Sequence, residues 1–203
     1  MTASRCLTAI VLLAALLWLS PNAVAAAAVR MNFANDVVPV FTKAGCNAGE
    51  CHAKASMGQN GFRLSLLGFE PEEDYEHLVK ESRGRRITMA APDQSLLLLK
   101  ASGTVPHGGG RKLPVDSMGY RVLRNWISQG MPFGGAADPK LAIISVTPAQ
   151  GTLKKNSAQQ LKISARYSDG SVRDVTHLAL YEANDKAMAT VSDGGRVAVS
   201  ALP

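Results

Sequence analysis

Two cysteines and a histidine stand close together in Cys46-Asn47-Ala48-Gly49-Glu50-Cys51-His52. Two thiols can each form a thioether to one vinyl group of a haem, and a histidine directly after the second thiol then lies under the iron as proximal ligand. The usual spacing for this chemistry is C-x-x-C-H. Here two further residues separate the cysteines, Gly49 among them. The second cysteine and its histidine set the iron side, whereas the first need only reach a vinyl edge, so a longer loop can be absorbed. The same residues allow two other chemistries. In an exported chain Cys46 and Cys51 could close a disulfide. They could also ligate zinc with His52 and a fourth residue such as His77 or His107. Spacing alone leaves all three open.

Other patterns carry less. His107-Gly108-Gly109-Gly110 matches an oxyanion loop of α/β-hydrolases, but that role needs a G-x-S-x-G elbow, and the sequence has none. Glu70, Glu72, Glu73 and Asp74 lack the alternation of an EF-hand loop and suit a solvated helix start. Arg83-Gly84-Arg85-Arg86 reads as a solvated basic loop, with docking to an acidic redox partner as the functional alternative. His177 reads as an ordinary histidine of the strand-forming part. Met57, Met89, Met118 and Met131 are packing residues by default and iron ligands at most. No nucleophile–base pair can be assigned, so an enzyme is not expected.

Residues 1–28 carry one charge, Arg5, and no acid, and Leu7 begins a thirteen-residue apolar run to Leu19. Ser20-Pro21-Asn22 breaks it and Ala23-Val24-Ala25 offers a cleavage site. This is the layout of a secretory signal peptide, too short to span a membrane. The expectation is an exported chain, periplasmic or at the cell surface, with no integral membrane span after cleavage. Cys6 leaves with the signal. Over all 203 residues 46% are hydrophobic and 19% charged, which is globular composition and not a disordered chain. The net charge of +6 is scattered, and aromatics are only 5%, so the clustered basic, base-stacking surface of a nucleic-acid binder is missing.

Elements must then hold the cysteine loop in place. Phe33, Val37, Val40 and Phe41 share one face of a helix over residues 32–43, kinked or delayed by Pro39. Phe62, Leu64 and Leu66 alternate after Asn60-Gly61, as in a short strand or extended loop. Short helices follow at Pro71 and at Pro92. Val122, Leu123, Trp126 and Ile127 stripe a helix over residues 120–129, stopped by Gly130. Residues 134–140 read as a linker. Beyond it the pattern is strands: Leu161 to Tyr167, an Asp169-Gly170 turn, Val172 to Thr176, and a second hairpin turning at Gly194-Gly195.

The segment from Phe33 to Cys46 (FANDVVPVFTKAGC) resembles the opening of the cytochrome c-like domains of planctomycete-type exported proteins. So do Ala91-Pro92-Asp93-Gln94-Ser95-Leu96-Leu97 and the stretch ending Trp126-Ile127-Ser128-Gln129-Gly130-Met131-Pro132. Residues 165–176 resemble the signature hairpin of a bacterial Ig-like group 2 domain, which often follows in such proteins. The resemblance implies a signal peptide (1–28), a mainly-α cytochrome c-like haem domain (29–133), a linker (134–140) and an incomplete all-β Ig-like sandwich (141–203). It also implies C-terminal truncation and the loss of further domains. The function implied is electron transfer through covalently bound haem c to an unidentified redox protein, with the Ig-like part as spacer or attachment module. Cys46 and Cys51 would carry the thioethers and His52 the iron. The distal ligand in such proteins lies on the loop before the last helix, commonly a methionine. Here Val105 takes that place, which makes His107 the candidate and Met118 the runner-up. The alternative is a non-catalytic, adhesion-type surface protein with a Cys46–Cys51 disulfide and no haem.

Overall fold

The computed structural model describes residues 30–49 and 51–201. The signal peptide read at residues 1–28 and Glu50 of the cysteine loop lie outside the described residues. A π-helical turn, Phe33–Val37, runs directly into helix α1, Val38–Lys43. Asn32 caps the turn: its side chain accepts from the Asn35 N–H at 2.9 Å, while Asp36 accepts from the Asn32 N–H at 2.7 Å. These bonds satisfy donors that a helix start leaves open. Pro39 sits in the first turn of α1, at its junction with the π-helical turn. The one helix expected over residues 32–43 is thus two pitches joined just before the proline.

Helix α2, Pro71–Tyr75, starts on a proline with Glu72, Glu73 and Asp74 in its first turn, and a second π-helical turn, Glu76–Lys80, extends it. The acids complement the positive end of the helix dipole. Helix α3, Leu96–Ala101, follows a 3-10 turn at Pro92–Gln94. Helix α4, Met118–Ser128, is the longest α-helix among the described residues; Ser117 caps it by accepting from the Tyr120 N–H at 3.2 Å. It ends in a Schellman motif. Gly130 takes φ 80°, and the N–H groups of Gly130 and Met131 bond the carbonyls of Ile127 and Trp126 at 3.0 Å.

These pieces share one core. Phe33, Trp126, Leu64, Leu78, Leu98, Leu123 and Ile127 are fully buried. The Phe33 ring lies 5.4 Å from Trp126, 5.3 Å from Tyr75 and 6.1 Å from Phe133. The polar ends of the aromatics are satisfied: Trp126 Nε1 donates to the Pro132 carbonyl at 3.0 Å and the Tyr75 hydroxyl to that of Met131 at 2.8 Å.

The rest of the chain forms two three-stranded antiparallel sheets, β1-β3-β4 and β2-β6-β5. The strands are β1 Leu141–Thr147, β2 Ala158–Gln160, β3 Lys162–Tyr167, β4 Val172–Asp174, β5 Ala189–Val191 and β6 Arg196–Val199. Val146 pairs with Ile163, Arg166 with Val172, and Thr190 with Ala198. The chain changes sheets between β2 and β3 at Leu161, whose N–H donates to the Gly195 carbonyl at 2.9 Å.

The fold class expected from the sequence is therefore corrected. The described residues form a small mixed α/β fold with four short α-helices and two small antiparallel sheets. A mainly-α cytochrome c-like domain is not what the first part forms, because only α4 among the described helices exceeds two turns and π-helical, 3-10 and loop segments join the others. The Ig-like sandwich is not formed either. The buried residues of β3, Ile163, Ala165 and Tyr167, line a cleft of about 440 Å³ with Ala34, Asn35 and Pro39, while β1 is exposed along its whole length. The short strand or extended loop expected from Phe62 is an extended segment with two single bridges, Gln59 with Phe62 and Ala53 with Leu64.

The segment read as a linker is tied down. Asn32 Nδ2 donates to Asp138 at 2.8 Å, Asn35 Nδ2 to the Pro139 carbonyl at 2.7 Å, and the Phe33 N–H to the Phe133 carbonyl at 3.0 Å. Among the described residues no helix is long and apolar enough to cross a membrane.

Candidate functional site

Helix α1 delivers Cys46. Gly45 stops the helix at φ 71°, and the N–H groups of Gly45 and Cys46 bond the carbonyls of Thr42 and Phe41 at 3.0 and 2.8 Å. This second Schellman motif turns the chain sharply, so Cys46 begins its loop from a fixed direction. Asn47, buried, donates from Nδ2 to Thr42 Oγ1 at 2.9 Å and ties the loop back to the helix. Gly49 takes φ 53° with open space around the place of a Cβ, which is where the extra loop length bulges. The loop closes when the His52 N–H donates to the Cys46 carbonyl at 3.0 Å.

Cys46 and Cys51 are both free thiols, each partly buried. Burial pushes the Cys46 thiol up to about 11; the charge of Lys112 opposes this and Cys51 adds to it. At neutral pH Cys46 is a protonated thiol, whereas zinc would need the thiolate.

His52 is set by a two-residue turn. Asn60 and Gly61 take φ 51° and 74° between Gln59 and Phe62, whose backbones exchange hydrogen bonds at 3.1 and 3.0 Å. An Asn-Gly pair adopts such a turn with little strain. The turn presents the Phe62 carbonyl 3.2 Å from His52 Nδ1, and the Phe62 ring centre lies 4.7 Å from the imidazole. A carbonyl only accepts, so Nδ1 carries the proton and Nε2 keeps its lone pair. Burial holds His52 below the ordinary histidine range, opposed by the bond to Phe62 and assisted by His107 and Arg86. Both effects leave a neutral imidazole suited to a metal.

His107 faces it. The two rings are 6.2 Å apart between centres and within 8° of parallel. His107 Nδ1 lies 2.8 Å from the Gly110 carbonyl, so this ring too is protonated at Nδ1 and free at Nε2. A Cβ at Gly109 would come within 3.2 Å of His107 Cε1, so a side chain there would crowd the ring. A first-row metal binds an imidazole nitrogen at ~2 Å and the ring centre lies ~1 Å further out, so two imidazoles on opposite sides of one ion hold their centres ~6 Å apart. The observed separation matches that distance and the two rings lie in near-parallel planes, and a pair of imidazoles is a donor set that haem iron takes.

The other candidates lie elsewhere. Met118 opens α4 and is about half exposed, and Met57 and Met89 are more exposed still. His77 is buried against α2 and its extension, with Nδ1 2.9 Å from the Arg63 carbonyl and Nε2 3.4 and 3.6 Å from Glu73 and Glu81. The zinc set proposed from spacing does not assemble. Among the described residues no group of three or more His, Cys, Asp or Glu side chains is arranged to hold an ion. A haem iron needs only two side-chain ligands, one on each face.

Sequence reasoning passed over two residues at the site. The alternation reads Phe62 as part of a short strand or extended loop after Asn60-Gly61 and does not show that its ring and carbonyl meet His52. Arg86 was read as part of a solvated basic run, yet it is buried; no local pattern marks it. No family model matches the chain, and none of the curated proteins matches it.

Proposed function

We propose that this chain is an exported c-type haem protein that transfers single electrons to a redox protein, with its two-sheet part as spacer or attachment module. The observation that carries the reading is the parallel His52–His107 pair beside two free thiols. Cys46 and Cys51 would hold the group covalently, His52 would ligate the iron on one face and His107 on the other. When bound, haem supplies a one-electron iron couple. The chain contributes the rest. The Phe62 and Gly110 carbonyls hold each imidazole in the tautomer with a free Nε2, and the Schellman turn at Gly45 aims Cys46. The aromatic core around Phe33 and Trp126 gives the loop a rigid base that needs no contribution from the group. The signal-like N-terminus supports export to the oxidising compartment where such haem is attached.

The test is direct. Protein exported from a host with haem-attachment machinery should be red, with a Soret band and a pyridine haemochrome spectrum that survives acid–acetone extraction. Cys51→Ala and His52→Ala should abolish it, and Cys46→Ala should leave one thioether. A colourless product with an intact Cys46–Cys51 disulfide refutes the reading and favours the adhesion-type alternative.

A further inference from the structure

Arg86 stands out among the charged residues because it turns inward from a basic run. It is 5% exposed. Its Nη1 donates to the carbonyls of His77 at 2.6 Å and Glu81 at 3.2 Å, and its Nη2 to that of Gly61 at 3.0 Å and to Ser82 Oγ at 3.4 Å. The Glu81 carboxylate stays 4.0 Å away, so this cation is held chiefly by backbone carbonyls. Burying a charge that way costs desolvation, and an apolar side chain would serve packing alone better.

What the guanidinium grips is the turn that sets His52. It holds the Gly61 carbonyl, and its Cζ lies over the Phe62 ring, 4.8 Å from the ring centre. Phe62 in turn meets His52 with both its ring and its carbonyl. The Asn60-Gly61 turn is otherwise exposed, with a single bridge to close it, so it needs an outside anchor. We infer that Arg86 is a positioning residue for His52: it fixes the Gly61–Phe62 backbone, and through the Phe62 carbonyl it sets the tautomer of the imidazole and its plane against His107. As a statement about iron ligation this rests on the reading of His52 and His107 as a ligand pair. The role needs the planar fork and face of arginine, which lysine lacks.

The experiment uses the full chain with haem attached, in the ferric state. Low-temperature EPR reads the angle between the two imidazole planes, and near-parallel planes give one rhombic low-spin signal. Arg86→Lys keeps the charge and loses the fork, and is expected to broaden the g values or split them into more than one species. Phe62→Leu keeps the backbone carbonyl and loses both ring contacts, and should move them the same way. If both variants give the wild-type signal, the inference is overturned. Should Arg86→Lys lose its helical circular dichroism, Phe62→Leu decides alone. A colourless wild type refutes the haem reading separately. In that case nitrogen-15 NMR of the haem-free chain at pH 8 reads the His52 tautomer. A fall of the Nδ1–H form from dominant in wild type to a mixture in the variants upholds the positioning role, and an unchanged tautomer overturns it.

Discussion

Two glycines near the cysteine loop share a backbone conformation and differ in their surroundings, which makes a controlled test of how the loop is held. Gly45 has φ 71° and open space where a Cβ would go; Gly68 has φ 78° and its Cβ would fall on Val38 Cγ1, well inside van der Waals contact. Replacing either by alanine places a side chain in the left-handed region, at about 1 to 2 kcal/mol. For Gly45→Ala that is the whole cost. Gly68→Ala also overpacks α1, which adds about 1 to 3 kcal/mol. Urea unfolding of the haem-free chain, with unchanged m-values, should therefore rank Gly68→Ala as the more damaging by that second amount. Adding Val38→Ala should recover part of the loss in Gly68→Ala and none in Gly45→Ala, a coupling of about 1 to 2 kcal/mol. Equal losses at the two glycines, or no coupling with Val38, would falsify the close packing of the Leu66–Gly68 turn on α1 beside the cysteine loop.

Removing the distal ring by His107→Ala should convert a low-spin ferric spectrum to a high-spin, ligand-binding one, while Met118→Ala leaves it unchanged; the reverse pattern assigns the site to Met118. Ligation by two histidines lacks the thioether that raises the potential, so the midpoint measured by titration should lie below that of a His/Met haem protein. Burial holds His52 and His177 below the ordinary histidine value of 6.5. The unfolded haem-free chain then takes up protons first as pH falls, so stability is full above pH 6.5 and declines as pH drops toward the folded values. Urea midpoints between pH 8 and 5 check this, and His177→Gln should flatten the decline.

Helix α4 was legible because its stripe and its Gly130 stop are local signals that agree with each other. The Asp169-Gly170 and Gly194-Gly195 turns were legible for the same reason: Gly170 and Gly195 take φ 82° and 77°, which glycine adopts without strain. The cysteine loop and the loop histidine could be found by residue type and spacing, but their distance apart could not. His52 and His107 are brought together by contacts far apart in the chain, which no periodicity reports. The fold class failed at the same level. Similar short segments can be read as parts of a helical domain, yet Pro39, Gly45, Pro71 and Pro92 keep all but one of the described helices to two turns or less. Strand β1 was overlooked although Leu141-Ala142-Ile143-Ile144-Ser145-Val146-Thr147 is uncharged and rich in β-branched residues. Arg86 could not have been read at all, because its basic neighbours describe a surface and its own burial is tertiary.

The bonds that tie residues 32 and 33 to residues 133 and 138 have a mechanical meaning. They clasp the helical part at the corner where the chain comes in and goes out, so everything between, including the cysteine loop and both imidazoles, hangs from the clasp as a closed lobe. Tension applied between the two ends of the polypeptide passes first through the Phe33–Phe133 and Asn32–Asp138 bonds and on into the sheets, which the lobe also meets through Arg173–Asp36 and Lys43–Ala179, all of them at α1 and the turn before it. A chain anchored at one end and pulled at the other would keep its two facing histidines at rest, and a lobe with adjoining ends is the kind of unit that tolerates transplantation into a loop of another protein.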